Sequence, residues 1–278
     1  MSLPTDKIKK IICGYCSTNI HIEQFSDIMK VVEGVKIELI GIDTLSHELA
    51  LIYPHIAKDM LGIEIDTNQF FDVEDFVKAY DANGINAPID CEFFHRDSEI
   101  SETCKSIRKN IVTILSGPSG IGKTRLALEV CRKQDGEAVK VYCIKSNGNL
   151  LYEDIKYYID EPGKYLLFFD DANMVASLDN VLNTILTLPE AYNVKVLITV
   201  RDYARERIIN SVLKYSKPNI IEIGRFKDDE IKDILKNNLG ILNSVYLEKI
   251  VEIANGNIRL AFLAGMRAVD DGYQAIRN

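Results

Sequence analysis

This sequence predicts an α/β fold, with a mostly parallel sheet covered by helices on both faces. Three observations carry that prediction. Between residues 99 and 223 short apolar runs alternate with amphipathic helical patterns. A glycine-rich octapeptide joins one such run to the helix after it, and two later runs end in charged residues, where parallel sheets build their sites.

Taken in order, Ile8, Ile11, Ile12 and Cys13 predict a strand over 8–16, and 22–33 has helical periodicity. Val35-Lys36-Ile37-Glu38-Leu39-Ile40 alternates as a second strand, which completes one βαβ unit. Asp43-Thr44 opens a helix toward Leu49 and Ile52, which Pro54 redirects into a short helix over 55–61. Residues 62–100 hold 10 acidic residues against Lys78 and Arg96 alone, with turn signals at Asn83-Gly84 and Ala87-Pro88, and read as a connector with a short helix near 73–80. Beyond it come helix 99–109, strand 111–116, helix 122–133, strand 138–144, helix 151–159, strand 165–170, helix 174–187, strand 194–200, helix 203–214 and strand 219–223. Then the character changes: 228–238, 244–255 and 257–269 are helical patterns broken by Gly240 and Asn255-Gly256-Asn257. The expected domains are a βαβ unit (1–62), an acidic connector (63–98), the α/β core (99–224) and a helical subdomain (225–278).

At 47% hydrophobic and 27% charged, the 278 residues exclude a disordered or fibrous protein. No apolar stretch reaches the roughly 18 residues needed to span a bilayer, and residues 1–7 lack the apolar run of a secretory signal. A cytoplasmic location with no membrane partner is expected. The six cysteines (Cys13, Cys16, Cys91, Cys104, Cys131, Cys143) are sparse for this length and suit reduced thiols. The net charge of −8 is N-terminal, because residues 1–100 carry 8 Lys and Arg against 18 Asp and Glu while the remainder carries 25 against 23. An acidic N-terminal region and the lack of a basic, aromatic-interleaved stripe disfavour nucleic acid as a partner.

Gly117-Pro118-Ser119-Gly120-Ile121-Gly122-Lys123-Thr124 fits G-x-x-x-x-G-K-[ST] between an apolar strand and a helix. In that context backbone N–H groups wrap phosphates, Lys123 reaches the β- and γ-phosphates and the Thr124 hydroxyl coordinates Mg²⁺. Tyr165-Leu166-Leu167-Phe168-Phe169-Asp170-Asp171 ends a buried-strand run in two acids, 47 residues past Lys123, a spacing that suits the strand beside the phosphate loop. There Asp170 would hold Mg²⁺ and Asp171 polarise the attacking water, or Asp171 would merely cap the next helix. Arg201, at the end of Val194–Val200, could reach a γ-phosphate or pair with Asp202 or Glu206. Thr199-Val200-Arg201-Asp202 lacks the lysine of a guanine-reading [NT]-K-x-D, so ATP is favoured over GTP.

These residues resemble the STAND class of NTPases, and most of all its bacterial "novel STAND" branch, to which antiviral Avs-type proteins belong. The pieces are the run Leu115–Ala127, the twin acids in Asp170-Asp171-Ala172-Asn173, the run Ile198–Ala204 and Gly256-Asn257-Ile258-Arg259-Leu260-Ala261. The resemblance covers about residues 95–278. It implies a P-loop NTPase sheet with a C-terminal helical lid, ATP/ADP and Mg²⁺ as ligands, and Gly117 to Arg125 as the phosphate cradle. It also implies that Arg96, in Phe94-His95-Arg96-Asp97, lies near adenine, and that Ile258 stands where relatives carry a lid proline that touches the nucleotide. In intact relatives the output is conformational, with a protein trigger, homo-oligomerisation and a role often directed against phage. An AAA-type motor acting on nucleic acid and a nucleotide-binding scaffold with negligible turnover are the alternatives.

Residues 1–62 resemble the tail of the restriction-endonuclease-like effector domains fused to bacterial STAND proteins. No Asp or Glu in residues 1–100 has Lys two positions later, so no nuclease activity is expected. Cys13-Gly14-Tyr15-Cys16 has no second pair at ligand spacing, and His21, His47, His55 and His95 form no H-x-x-x-H pair. Phe70-Phe71 and Phe93-Phe94 are expected to anchor the connector to the core.

Overall fold

The computed structural model describes residues 46–47, 49–50, 52–62, 66–81, 91–135, 138–148 and 151–272. The expected strands and helix over 8–40, with Cys13, Cys16 and His21, lie outside the described residues. By contacts the chain divides into two compact units, Met1–Thr67 and Asn68–Asn278. Within the first, helix α1 (Pro54–Leu61) starts on a proline whose missing N–H costs nothing there and stops at Gly62 in the left-handed region.

The second unit begins with strand β1 (Phe70–Phe71) and helix α2 (Val73–Asp81), inside the stretch read as a connector. Then follow α3 (Asp97–Lys109), β2 (Val112–Gly117), α4 (Lys123–Asp135), β3 (Lys140–Ile144), α5 (Leu151–Tyr158), β4 (Gly163–Phe169), α6 (Leu178–Leu186), β5 (Tyr192–Arg201), α7 (Arg205–Leu213) and β6 (Asn219–Glu222). Helices α8 (Asp228–Leu239), α9 (Ser244–Ala254) and α10 (Ile258–Asp270) form the lid. The expected helices 174–187 and 203–214 are each split, with 3₁₀ turns at Ala172–Met174 and Asp202–Ala204 ahead of α6 and α7.

The six strands make one sheet in the order β1-β3-β4-β5-β2-β6, parallel except for β1. This order corrects one expectation. The acidic strand β4 does not lie beside the phosphate-loop strand β2; β5 is hydrogen-bonded to both and separates them. Sequence spacing cannot see the crossover that inserts a later strand between two earlier ones. β1 enters by pairing Phe70 with Ile144 and stacking Phe70 on Tyr158, with ring centroids 4.4 Å apart.

Strands covered on both faces read as continuous apolar runs. Along β4, Tyr165, Leu167 and Phe169 join the core under α5, α6 and α7, while Leu166 and Phe168 join the core under α2, α3 and α4. The lid closes on its own cluster, built from Ile231, Leu235, Leu247, Val251, Ala261 and Phe262.

Candidate functional site

The carboxyl ends of β2, β4 and β5 meet at one place. The loop after β2 turns at Gly117, where a Cβ would sit 2.5 Å from the carbonyl oxygen of Ile223, so only glycine lets β6 pass this closely. Gly120 has φ +79, and a Cβ there would strike the Asn257 side chain of the lid. Among the described residues no acceptor takes the N–H groups of Gly120, Ile121 and Gly122, and α4 begins directly after them. Unpaired amides at a helix N-terminus are the donor set that phosphate oxygens use.

Lys123 is buried to 8% exposure, and its ammonium donates to the carbonyls of Gly117 and Pro118, each at 2.7 Å. Loss of water around it lowers its pKa, opposed by the nearby carboxylates of Asp202, Asp171 and Asp170. Thr124 donates its hydroxyl to Asp170 Oδ1 at 2.8 Å, which brings together the hydroxyl and the acid that the sequence assigns to Mg²⁺. Desolvation raises the Asp170 pKa, offset in part by hydrogen bonds from Thr199 and Thr124. A hydroxyl, a carboxylate and adjacent phosphate oxygens are an oxygen-only donor set of the kind Mg²⁺ takes.

Asp171 is not a helix cap: it makes no side-chain cap bond, and it sits at φ 47, a left-handed conformation unusual for a non-glycine residue. Two contacts hold it there. Its N–H donates to Thr199 Oγ1 at 2.8 Å, and Arg201 donates to its Oδ2 at 2.6 Å. Arg201 is thus partnered by Asp171, neither by Asp202 nor by Glu206. The other oxygen of Asp171, Oδ1, is buried without a hydrogen-bond partner, as expected of a group that awaits a donor.

Thr199 went unassigned in the sequence. Its hydroxyl donates to Asp170 Oδ1 and accepts from the Asp171 amide, so one side chain of the intervening strand fixes both acids. A hydroxyl two residues before Arg201 on a buried strand shares that residue's face, and this was the available signal.

A cavity of about 170 Å³ is lined by Lys123, Thr124 and Asp170 and by an apolar part made of Phe94, Phe226, Ile258 and Phe262. Arg96 lines it too, with its guanidinium 3.9 Å from the Phe226 ring centroid and bonds to Glu99 at 3.0 Å and to the Gly224 carbonyl at 2.7 Å. Burial lowers its pKa, against the pull of Glu99. Arg125 leaves the phosphate end and donates to the Cys91 carbonyl at 2.6 Å, pinning the segment that carries Phe93 and Phe94. The lid touches the loop directly: Asn257 Nδ2 donates to the Ser119 carbonyl at 3.0 Å, and Arg259 N–H donates to the Gly120 carbonyl at 3.0 Å. Among the described residues no group of three His, Cys, Asp or Glu side chains could hold a metal alone, and no helix is long and apolar enough to cross a membrane.

A family model described as Novel STAND NTPase 3 matches residues 94–240, just over half of the chain. The chain belongs to that family. The match places this novel STAND NTPase among nucleotide-binding NTPases and takes in Arg96, the phosphate loop, both acids and Arg201, ending before Asn257 and Ile258. No curated protein matches it. Among solved structures it is similar to Hsp104 with ATPγS and FITC-casein, at 16% identity and a TM-score of 0.54 over 75% of this chain and 42% of that one. It is also similar to Saccharomyces cerevisiae Hsp104 with casein (16%, TM-score 0.52, 74% and 40%) and to Aeropyrum pernix ORC1 in complex with DNA (16%, TM-score 0.52, 77% and 68%). These likenesses show a shared P-loop NTPase fold. The novel STAND NTPase spans about two fifths of the length of the Hsp104 chains.

Proposed function

We propose that this chain is a nucleotide-dependent conformational switch that binds ATP or ADP with Mg²⁺ and hydrolyses ATP slowly. One observation carries the reading most directly. The lid is hydrogen-bonded to the phosphate loop itself, through Asn257 to Ser119 and Arg259 to Gly120, so whatever the loop holds bears on the lid.

In this reading the amides of Gly120, Ile121 and Gly122 and the side chain of Lys123 bind the phosphates. Thr124 and Asp170 hold Mg²⁺, which screens phosphate charge. The apolar part made of Phe94, Ile258 and Phe262, with Arg96, takes the adenine. Arg201 is the group that senses a γ-phosphate: drawn to that charge, it releases Asp171 to accept a proton from the attacking water. The Arg201–Asp171 bond competes with this step, which supports slow turnover. A cytoplasmic site of action, a protein trigger, self-association and a part in antiphage defence belong to the same reading and rest on the family.

Denaturing freshly purified protein and quantifying the released nucleotide by anion exchange tests it. Near-stoichiometric ADP, absent from Lys123→Ala, is expected. An empty protein that also fails to bind Mg²⁺·ATP overturns the reading. Single-turnover hydrolysis that Asp171→Asn leaves unchanged removes the role given to Asp171.

A further inference from the structure

The amino ends of the strands, at the opposite end of the sheet from the phosphate loop, hold a second cavity of about 210 Å³. Its apolar part comes from Ile107, Val139 and Leu166, continuous with the core under α3 and α4. Among the described residues its rim carries Arg108, which has a partner of its own, and Lys164 and Lys195. The register of β4 on β5 sets Lys164 opposite Asn193 and Leu166 opposite Lys195, so both lysines stand on the same face of the sheet, one diagonal apart. Among the described residues no carboxylate pairs with either lysine. Arg108 lies in the last turn of α3, where a cation complements the helix dipole, but that explanation does not extend to lysines on strands.

Gln134, in the last turn of α4, supplies an independent observation. It lines the same cavity at 4% exposure, and its amide nitrogen has no hydrogen-bond partner. A buried donor left unpaired is destabilising, and like charges on neighbouring strands add to that cost. One occupant relieves both: an anion that accepts from the amide and neutralises the lysines.

We infer that this cavity binds a small anion attached to an apolar body, a carboxylate or phosphate monoester whose charged oxygens meet Lys164, Lys195 and Gln134 while its aromatic or aliphatic part rests on Ile107, Val139 and Leu166. The site is separate from the phosphate loop and extends beyond the switch reading.

The test is calorimetric titration with phenyl phosphate and with benzoate, using inorganic phosphate as the control. The protein is first saturated with Mg²⁺·ADP to fill the loop, and Lys123→Ala serves as a second background in which the loop is disabled. At least one of the two apolar anions is expected to bind in both backgrounds with a Kd of about 1 mM or tighter. Gln134→Ala and the double variant Lys164→Ala/Lys195→Ala are each expected to weaken it about tenfold. Lys164→Arg/Lys195→Arg retains it, and bound ADP is unchanged. Whichever anion binds more tightly identifies the head group. The inference falls if neither saturates by about 10 mM, if the double alanine variant titrates as the parent does while keeping its ADP, or if inorganic phosphate binds as tightly as the apolar anions.

Discussion

The sheet core and the helical lid differ in what they bury. Among the described residues the buried polar and charged side chains, Gln69, Thr103, Ser106, Thr113, Ser116, Lys123, Gln134, Glu153, Asp154 and Thr199, all precede residue 200, while the lid's buried side chains are apolar. Several of these polar groups bond across the fold, as Ser106 does with Thr113 and Gln69 with Asp154. Such pairs penalise any register but one, because a slipped strand would strand a donor. The lid has no comparable constraint: it packs on one apolar cluster, which Cys91 and Phe94 also touch, and it meets the rest of the unit through hydrogen bonds at Asn257, Arg259, Arg225, Asn238 and Asp233. A site held by buried polar pairs and a body with its own apolar cluster suit motion of one against the other.

The comparison can be broken by mutation, with the largest effect in the sheet. Phe168→Ala removes a fully buried β4 side chain from the core under α2, α3 and α4 and is expected to cost about 4 kcal/mol in urea unfolding, affecting the whole α/β core. Ile231→Ala, equally buried in the lid, is expected to cost about 3 kcal/mol. Hydrogen exchange should confine that loss to α8, α9 and α10; equal loss of protection in β4 and β5 would end the claim of a separate body.

Smaller changes sharpen the picture. Asp170→Asn keeps the acceptor used by Thr124 and Thr199 while removing a charge held away from water, and is expected to stabilise the nucleotide-free protein by about 1–2 kcal/mol while weakening Mg²⁺-dependent nucleotide binding. The sign in pH follows. A carboxyl whose folded pKa is raised adds stability below its ordinary value of 3.8 and loses that stability as pH rises through the folded value. The advantage of Asp170→Asn should therefore be full at neutral pH and vanish toward pH 3.8, as read from unfolding midpoints.

Asn257→Ala removes both the cap of α10, whose side chain accepts from Leu260 N–H, and the bond to Ser119. A loss of about 1 kcal/mol is expected, with faster exchange of α10 amides and no change in β2. The smallest effect belongs to His95, whose 3.0 Å contact with Asp233 on α8 is half open to water: His95→Ala is expected to shift stability by no more than about 0.5 kcal/mol.

Much of the core was legible in the sequence for a physical reason. A strand covered on both faces must be apolar throughout, as Leu166 to Phe169 are, and a loop that wraps phosphate must have glycine where the backbone turns left-handed, as at Gly120 and Gly122. The connector was harder to read. Its acidity marks a solvated exterior, but two aromatic residues, Phe70 and Phe71, are enough to add a strand at the sheet edge, and so short a run has no periodicity to detect. Helices α6 and α7 came out shorter than expected because the chain leaves β4 and β5 through 3₁₀ turns set by contacts such as Asp171 N–H to Thr199.

By itself the sequence determined the alternation of strands and helices, the phosphate loop, the paired acids and the cation at a strand end, since each is encoded in neighbouring residues by periodicity or local backbone geometry. Only the tertiary structure decided that β5 separates β2 from β4 and that Thr199 therefore stands between the two acids. It alone turned Arg201 onto Asp171 and seated the lid's Asn257 on the phosphate loop. Those pairings join residues 28 to 138 positions apart, and they depend on strand order and on which polar group finds a partner in three dimensions, which no local pattern encodes.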